Sequence, residues 1–304
     1  MRGKRAVARI QSFMNQQENI RRTASMALDQ KQVNDTLPPP DQFKRTRLQK
    51  ASRKPDFVRK TKQQCVEELK KLHQQVLARR EDRYLLLHGR PNSLRRQVDV
   101  FFLYQDFLPQ DGTILDWGCK HAPDSCLMRF TLGDGPRLLG YDFGRGDSFG
   151  EFYDYARLEF KEAEHTFRLP YADDSLDAVL GSGVLEHVAI TTESLKELYR
   201  VLKVGGAFII TFLPNRLSYT DWLLRTTGSN AFHRRLYSRR LISELLLHHG
   251  FEPQVHGFHQ FIPAQRGGKL ANQMWFLNQY LERLWPFRNF CANQYVIAVK
   301  RSVI

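Results

Sequence analysis

Chemistry is concentrated at a few places in this sequence. TILDWGCKHAPDSC, residues 113–126, begins as an apolar run and continues into a turn, as a nucleotide-binding strand and loop would. It keeps one glycine, Gly118, where a phosphate-cradling loop would have three. Asp142 closes a second apolar run, RLLGYD, 24 positions after Gly118. A carboxylate at such a strand end can accept a pair of vicinal hydroxyls, or it can simply cap a turn. SGVLEHV, residues 182–188, sets Ser182, Gly183, Glu186 and His187 behind a third apolar run. An imidazole titrates near neutral pH, so His187 suits a general base, and Glu186 can orient it or recognise a substrate. The same Glu-His pair also reads as ordinary loop packing. Residues 213–238 form a long polar connection that carries Asn215, Tyr219, His233, Arg234, Arg235 and Tyr237. Loops of that length tend to be functional, and paired arginines there can hold phosphate or carboxylate.

These residues need a frame. After residue 111, strand and helix patterns alternate. TILDWG, RLLGYD, LDAVLGSG and AFIITFLP read as buried strands, and FEPQVHGFH and QYVIAVKR as two more. TTESLKELYRVLKVGG has Leu195, Leu198, Tyr199 and Leu202 on one helical face, a threonine to cap the start and Gly205-Gly206 to stop it. The expectation is an α/β fold with a Rossmann-like doubly wound sheet. Ligands of such sheets sit beyond the carboxyl ends of the strands.

Ahead of this frame the chain is basic. Residues 1–100 hold 24 lysines and arginines against 10 acids, and the remaining residues balance to zero, so the whole net charge of +14 lies in the first third. We expect a basic, largely disordered arm over 1–62, a helical extension over 63–110 and the α/β domain over 111–304. The arm could remain solvated, meet an anionic membrane surface or RNA, or be a cleaved transit peptide. Within the domain, residues 268–290 carry an apolar stripe, Leu270, Met274, Leu277, Leu281 and Leu284, that predicts an amphipathic helical insertion. It would either pack on the domain or act as a lid or membrane-surface contact. No run of about 18 apolar residues is present, so no transmembrane segment is expected. Four cysteines without a CxxC pair, and no secretory segment, suggest reduced thiols and a cytoplasmic setting, with peripheral membrane contact as an option. No metal-ligand cluster is evident.

From about residue 94 to 301 the chain resembles the class I S-adenosylmethionine-dependent methyltransferases, closest to the broad type 11 group. The resemblance rests on TILDWGC, GYD, LPYADDSLDAVLGSGVLEHV and LKELYRVLKVGGAFIITFLPN. It implies an antiparallel last strand, supplied by QYVIAVKR, and S-adenosyl-L-methionine as cofactor. The family's glycine-rich turn maps onto Gly118, Lys120 and Ala122 behind Asp116, with two of the three glycines replaced. The resemblance puts the ribose on Asp142, the adenine edge on His165 and Thr166, and the methionine portion against Ser182 and Gly183. It implies a methyltransferase acting on oxygen of a small molecule, glycan or lipid-linked acceptor, with His187 and Glu186 in catalysis. Asn215, Tyr219, His233, Arg234 and Tyr237 would then contact the acceptor. A (D/N/S)PPY tetrapeptide is absent, which lowers methylation of nucleic acid bases. The alternatives are an RNA methyltransferase gripping phosphates with its basic arm, and a degenerate methyltransferase fold serving in assembly, as Lys120 and His165 would allow.

Overall fold

The computed structural model describes residues 42–44, 46–48, 50–51, 58–144, 149–228, 233, 235–263 and 273–303. The apolar runs form one seven-stranded sheet: β1 Gly112–Trp117, β2 Pro136–Asp142, β3 Leu158–Glu162, β4 Leu176–Ser182, β5 Leu202–Pro214, β6 Phe251–His259 and β7 Asn293–Lys300. Their order is β3-β2-β1-β4-β5-β7-β6. The first five strands in that order are parallel, and β7 runs antiparallel to both β5 and β6. The mostly parallel sheet with QYVIAVKR antiparallel in it is the arrangement the sequence implied. Strand order reverses between β1 and β4, and such a switch point opens a crevice at the carboxyl ends.

Alternation along each strand divides the core into two layers. Ile114 of β1 joins a layer on one face and Leu115 a layer on the other. The first layer is covered by α1 Lys62–Leu77, α3 Pro91–Tyr104, α4 Pro123–Leu132 and α5 Gly150–Ala156, with the short α2 Arg83–His88 between α1 and α3. The second is covered by α6 Thr191–Val201 and α8 Arg239–His248, with α7 Tyr219–Thr226 between them in the chain. The extension is therefore part of the core. Leu69, Leu72 and Val76 of α1 and Leu94, Val98 and Phe101 of α3 are all buried. Thr61 starts α1 through a capping box with Gln64, and Pro91 starts α3 at its first turn.

The structure moves some expected boundaries. The arm was expected to run to residue 62, yet Phe43 is buried, bridges to Val303 and meets the Tyr199 ring edge-on at 6.1 Å. Ala51 donates to the Asp106 carbonyl, and Arg59 pairs with the Asp106 carboxylate. Residues 1–41 of that arm lie outside the described residues. Helix α6 ends at Val201 and not at Gly205-Gly206, and no threonine side chain caps its start. Leu202 already pairs with Leu176, and the next pair is Ala178 with Ala207, so residues 203–206 loop out of β5. Gly205 makes that bend at φ +81°, while a Cβ on Gly206 would lie 2.9 Å from the Lys203 carbonyl oxygen. In the region of the apolar stripe, residues 264–272 lie outside the described residues. The chain after them is a series of short turns, Trp275–Leu277, Asn278–Leu281 and Phe287–Phe290, with Pro286 interrupting any longer helix. Phe276, Tyr280, Leu284 and Trp285 stand exposed there. Among the described residues no helix is long and apolar enough to cross a membrane and no group of side chains could hold a metal ion. The four cysteines are free and buried.

Candidate active site

The turn after β1 is built around Gly118. Its φ is +74°, and a Cβ there would sit 2.4 Å from a Val184 methyl, so only glycine fits. Lys120 and Ala122 then take left-handed backbone at φ 45° and 49°, conformations that glycine would adopt without cost. Their strain is offset by bonds at the turn. The Lys120 N–H donates to Asp142 Oδ2 at 2.8 Å, and its carbonyl accepts from the Tyr153 hydroxyl. The Lys120 side chain leaves the turn and lies over the Tyr84 ring, its ammonium 5.5 Å from the centroid. The substituted turn thus keeps a backbone path that a glycine-rich one would take, and its extra side chain is parked on α2. His121 is buried in a ring cluster with His73, His88, Phe152 and Tyr84, whose hydroxyl lies 3.2 Å from its Nδ1. Burial holds its imidazole well below the usual histidine range, hence neutral.

Beneath the turn lie two buried carboxylates. Asp116, at the end of β1, accepts from the Ser125 hydroxyl at 2.6 Å, and Asp124 accepts from the Tyr104 hydroxyl. Burial is the first cause raising both carboxyls, and for Asp116 the charge of Asp124 adds to it. Asp124 and Tyr104 were not among the expected site residues. Both belong to patterns that read as helix faces, and only the fold brings them under the turn.

Asp142 closes β2 with Oδ2 on the Lys120 amide, and Oδ1 has no hydrogen bond among the described residues. His165 and Thr166 follow β3 on an exposed to half-buried loop. Ser182 closes β4 and accepts from the Thr211 hydroxyl at 3.0 Å. Gly183 takes φ +66°, and a Cβ on it would lie 3.7 Å from Phe212 Cβ and 3.8 Å from Glu186 Oε1. Asp116, Gly118, Lys120, Asp142, Ser182 and Gly183 therefore all lie at the carboxyl ends of β1, β2 and β4.

Glu186 and His187 part company. The Glu186 side chain is 6% exposed and that of His187 68%, with His187 Nε2 3.7 Å from Glu186 Oε1. Glu186 Oε2 is buried and without a hydrogen bond, and burial pushes the carboxyl up to about 7. A buried carboxyl with an uncommitted oxygen beside Gly183 has the environment of a general base or acid.

The residues expected to meet the acceptor are mostly tied into the framework. Asn215 is buried, donates to the carbonyls of Asn289 and Cys291 at 2.8 and 2.9 Å, and accepts from the Leu217 amide. The Tyr219 hydroxyl donates to the Phe261 carbonyl at 2.8 Å. Tyr237 is buried and reaches the Leu185 carbonyl at 3.4 Å. His233 meets Asp221 through its amide at 3.0 Å and its Nδ1 at 3.4 Å. Arg234 lies outside the described residues, while Arg235 clamps the loop after β4 through the Val188 and Ala189 carbonyls. A residue that sequence reasoning passed over stands beside Gly183: Phe212, with Arg96 5.0 Å over its ring and the His259 ring at 5.0 Å. Arg96 shares its helix face with Val100 and Leu103, four and seven positions on, and that placement was the available signal for it.

Residues 144–210 match a family model described as a methyltransferase domain. Over 139 residues the chain is 31% identical to a probable S-adenosylmethionine-dependent methyltransferase of Mycolicibacterium smegmatis, covering 46% of this chain and 51% of that protein. Over 64 residues it is 44% identical to a demethylmenaquinone methyltransferase of Streptomyces avermitilis, covering 19% and 28%. The chain thus spans about half the length of the first relative and less of the second. A crystal structure of a methyltransferase from Thermotoga maritima, described as a possible histamine N-methyltransferase, superposes with a TM-score of 0.51 at 16% identity. It covers 78% of this chain and 99% of that one, a likeness of fold. Residues 144–210 thus resemble a methyltransferase domain, and the chain shares its fold with the Thermotoga maritima structure.

Proposed function

We propose that this protein transfers the methyl group of S-adenosyl-L-methionine to an oxygen of a small molecule, glycan or lipid-linked acceptor. The observation that carries the reading is the Asp142 carboxylate, fixed to the Gly118–Lys120 turn by one oxygen at the switch point of the sheet, with its other oxygen uncommitted. The free Oδ1 would accept from the ribose, Gly118 and the Lys120 backbone would line the methionine and ribose portion, and Ser182 and Gly183 would close the methionine end. His165 and Thr166 would meet the adenine edge. When bound, the cofactor supplies an electrophilic methyl on a sulfonium. The protein's part is alignment in a crevice from which water is displaced.

Within the expected catalytic pair, Glu186 is the better base. Its uncommitted Oε2 is buried beside Gly183, whereas His187 stands mostly in solvent and would position Glu186 from outside. Taking the proton of an acceptor hydroxyl suits a carboxylate whose proton affinity has been raised towards neutrality. The polar groups of Asn215, Tyr219 and Tyr237 hold the 213–238 connection in place, so that loop would shape the acceptor site by its wall, leaving His233 at its rim. Similarity to a demethylmenaquinone methyltransferase supports a small-molecule acceptor.

Calorimetric titration with S-adenosylmethionine tests the assignment. Asp142→Ala should weaken binding by about 10- to 100-fold, the scale of charged hydrogen bonds, in a protein that keeps its thermal transition. Unchanged affinity in the folded variant would remove Asp142 from the site.

A further inference from the structure

A cavity of about 640 Å³ opens between α1, α3, the carboxyl end of β6 and the turns at 275–288. Six cations line it: Lys62, Arg95, Arg96, Arg239, Arg283 and Arg288. Two carboxylates oppose them. Asp99 is taken by Lys62 at 2.6 Å. Glu282 accepts from the Gln260 amide at 2.6 Å, and burial pushes its carboxyl up to about 7, so it is only partly charged at neutral pH. The cavity therefore holds a surplus of positive charge that the described residues do not neutralise.

Arg96 is the sharpest case. Its guanidinium lies over the Phe212 ring and donates one long bond, 3.4 Å, to Gln260 Oε1. Its Nε is buried with no hydrogen bond, and no carboxylate pairs with it among the described residues. Burial lowers its pKa to about 10. Beside it His259 is buried with Nε2 unpartnered; burial first, then the charge of Arg96, pulls its pKa down to about 3, so the ring is neutral. Leaving a buried cation uncompensated is costly, and orphaned polar groups of this kind call for a partner the chain does not supply. Apolar side chains share the lining with these cations: Val66, Leu103, Phe258, Trp275 and Phe276.

The cavity also adjoins the site of methyl transfer. Phe212 touches both Arg96 and His259, and its Cβ is 3.7 Å from where a Cβ on Gly183 would stand. One side chain separates the cationic cavity from the crevice at β4.

We propose that this cavity binds the phosphate or diphosphate end of the methyl acceptor, with the acceptor's apolar portion against Phe258, Trp275 and Phe276 and its reacting oxygen reaching past Phe212 towards Glu186. The proposal rests on the methyltransferase reading above. A phosphate carries about −1.5 to −2 charge and several acceptor oxygens, which suits several unpaired arginines better than a single carboxylate does. Arg96 anchors the anion at the inner end, and Arg283 and Arg288 close it at the mouth.

The test is calorimetry on the full chain with three probes: S-adenosylhomocysteine, inorganic pyrophosphate and farnesyl diphosphate. The wild type should bind all three, with pyrophosphate affinity falling as salt rises. Arg96→Gln should weaken both anions by about tenfold or more, and Arg283→Gln with Arg288→Gln should do the same with the core untouched, S-adenosylhomocysteine affinity staying within a few-fold in that double variant. Farnesyl diphosphate binding at least tenfold tighter than pyrophosphate assigns a lipid-linked acceptor; equal affinities assign a water-soluble phosphorylated one. A wild type that binds S-adenosylhomocysteine but neither anion, or anion binding indifferent to both sets of substitutions, overturns the proposal. A wild type that binds the anions through Arg96 but not S-adenosylhomocysteine leaves the anion site standing and removes the methyltransferase reading instead.

Discussion

Glu186 and His187 are neighbours in the chain held in different media, and their chemistry reflects that. The Glu186 carboxyl, almost wholly withdrawn from water, has its pKa raised to about 7 by burial. If it is the base, the methylation rate should rise with pH through about 7 as the carboxyl ionises. Glu186→Gln should lower the rate by about 10²–10⁴ with cofactor affinity nearly unchanged. His187→Ala should cost far less. Equal losses in the two variants, or a larger one at His187, would return the base to the imidazole. The same burial makes a stability prediction. A folded-state pKa above the unfolded one means the native state binds the proton more tightly. The associated stability is present below about pH 4.5 and is lost as pH rises through about 7. Glu186→Gln should therefore be more stable than wild type at pH 8, by up to about 3 kcal/mol, and show no such advantage at pH 4. Denaturant melts at the two pH values check the sign.

At the scale of elements, the turn between β1 and α4 is the most demanding piece of backbone, with three residues at positive φ in five positions, Gly118, Lys120 and Ala122. Gly118→Ala brings a methyl group within 2.4 Å of Val184 and forces L-backbone to φ +74°. The two penalties together should lower stability by about 2–4 kcal/mol and spoil cofactor binding. Lys120→Gly trades about 1–2 kcal/mol of relieved strain against a more flexible unfolded chain and the lost contact with Tyr84, so its melting temperature should stay within a few degrees of wild type. A large drop in Lys120→Gly would mean that the ammonium on Tyr84 matters more than the backbone. This turn also shows what was legible in the sequence. The apolar runs TILDWG, RLLGYD and LDAVLGSG placed three strand ends to within one residue, because period and length suffice for buried strands. The glycine pair after α6 misled, since Gly205-Gly206 turns inside β5 instead of ending the helix. The surroundings of Arg96 were illegible for a different reason: its orphaned Nε depends on Gln260, Phe212 and His259, each more than 100 positions away, and no local pattern reports such a meeting.

For the whole molecule the deciding quantity is where the positive charge sits. Of the first hundred residues, 1–41 hold seven lysines and arginines against four acids, whereas 42–100 hold 17 against six. Most of the surplus thus belongs to the segment that includes α1, α2 and α3, with Phe43 docked against Tyr199 ahead of them. Two deletions separate the consequences. Removing residues 1–41 takes away a net charge of only about +3 and no described contact, so the thermal transition and cofactor binding should survive. Removing residues 1–61 also strips the Phe43 contact, the Arg59–Asp106 pair and the Thr61 cap, and the cap alone is worth about 1 kcal/mol. That deletion should lower the melting temperature by several degrees. If the cationic surface of the extension meets anionic membranes or RNA, the shorter deletion should retain most of the binding to phosphatidylserine vesicles or to single-stranded RNA. In either case binding should weaken steeply between about 50 and 300 mM salt, since surface charge is screened within about 10 Å at 0.1 M. Binding that disappears with residues 1–41 would place the contact in the leading arm, and binding indifferent to salt would rule out an electrostatic contact altogether.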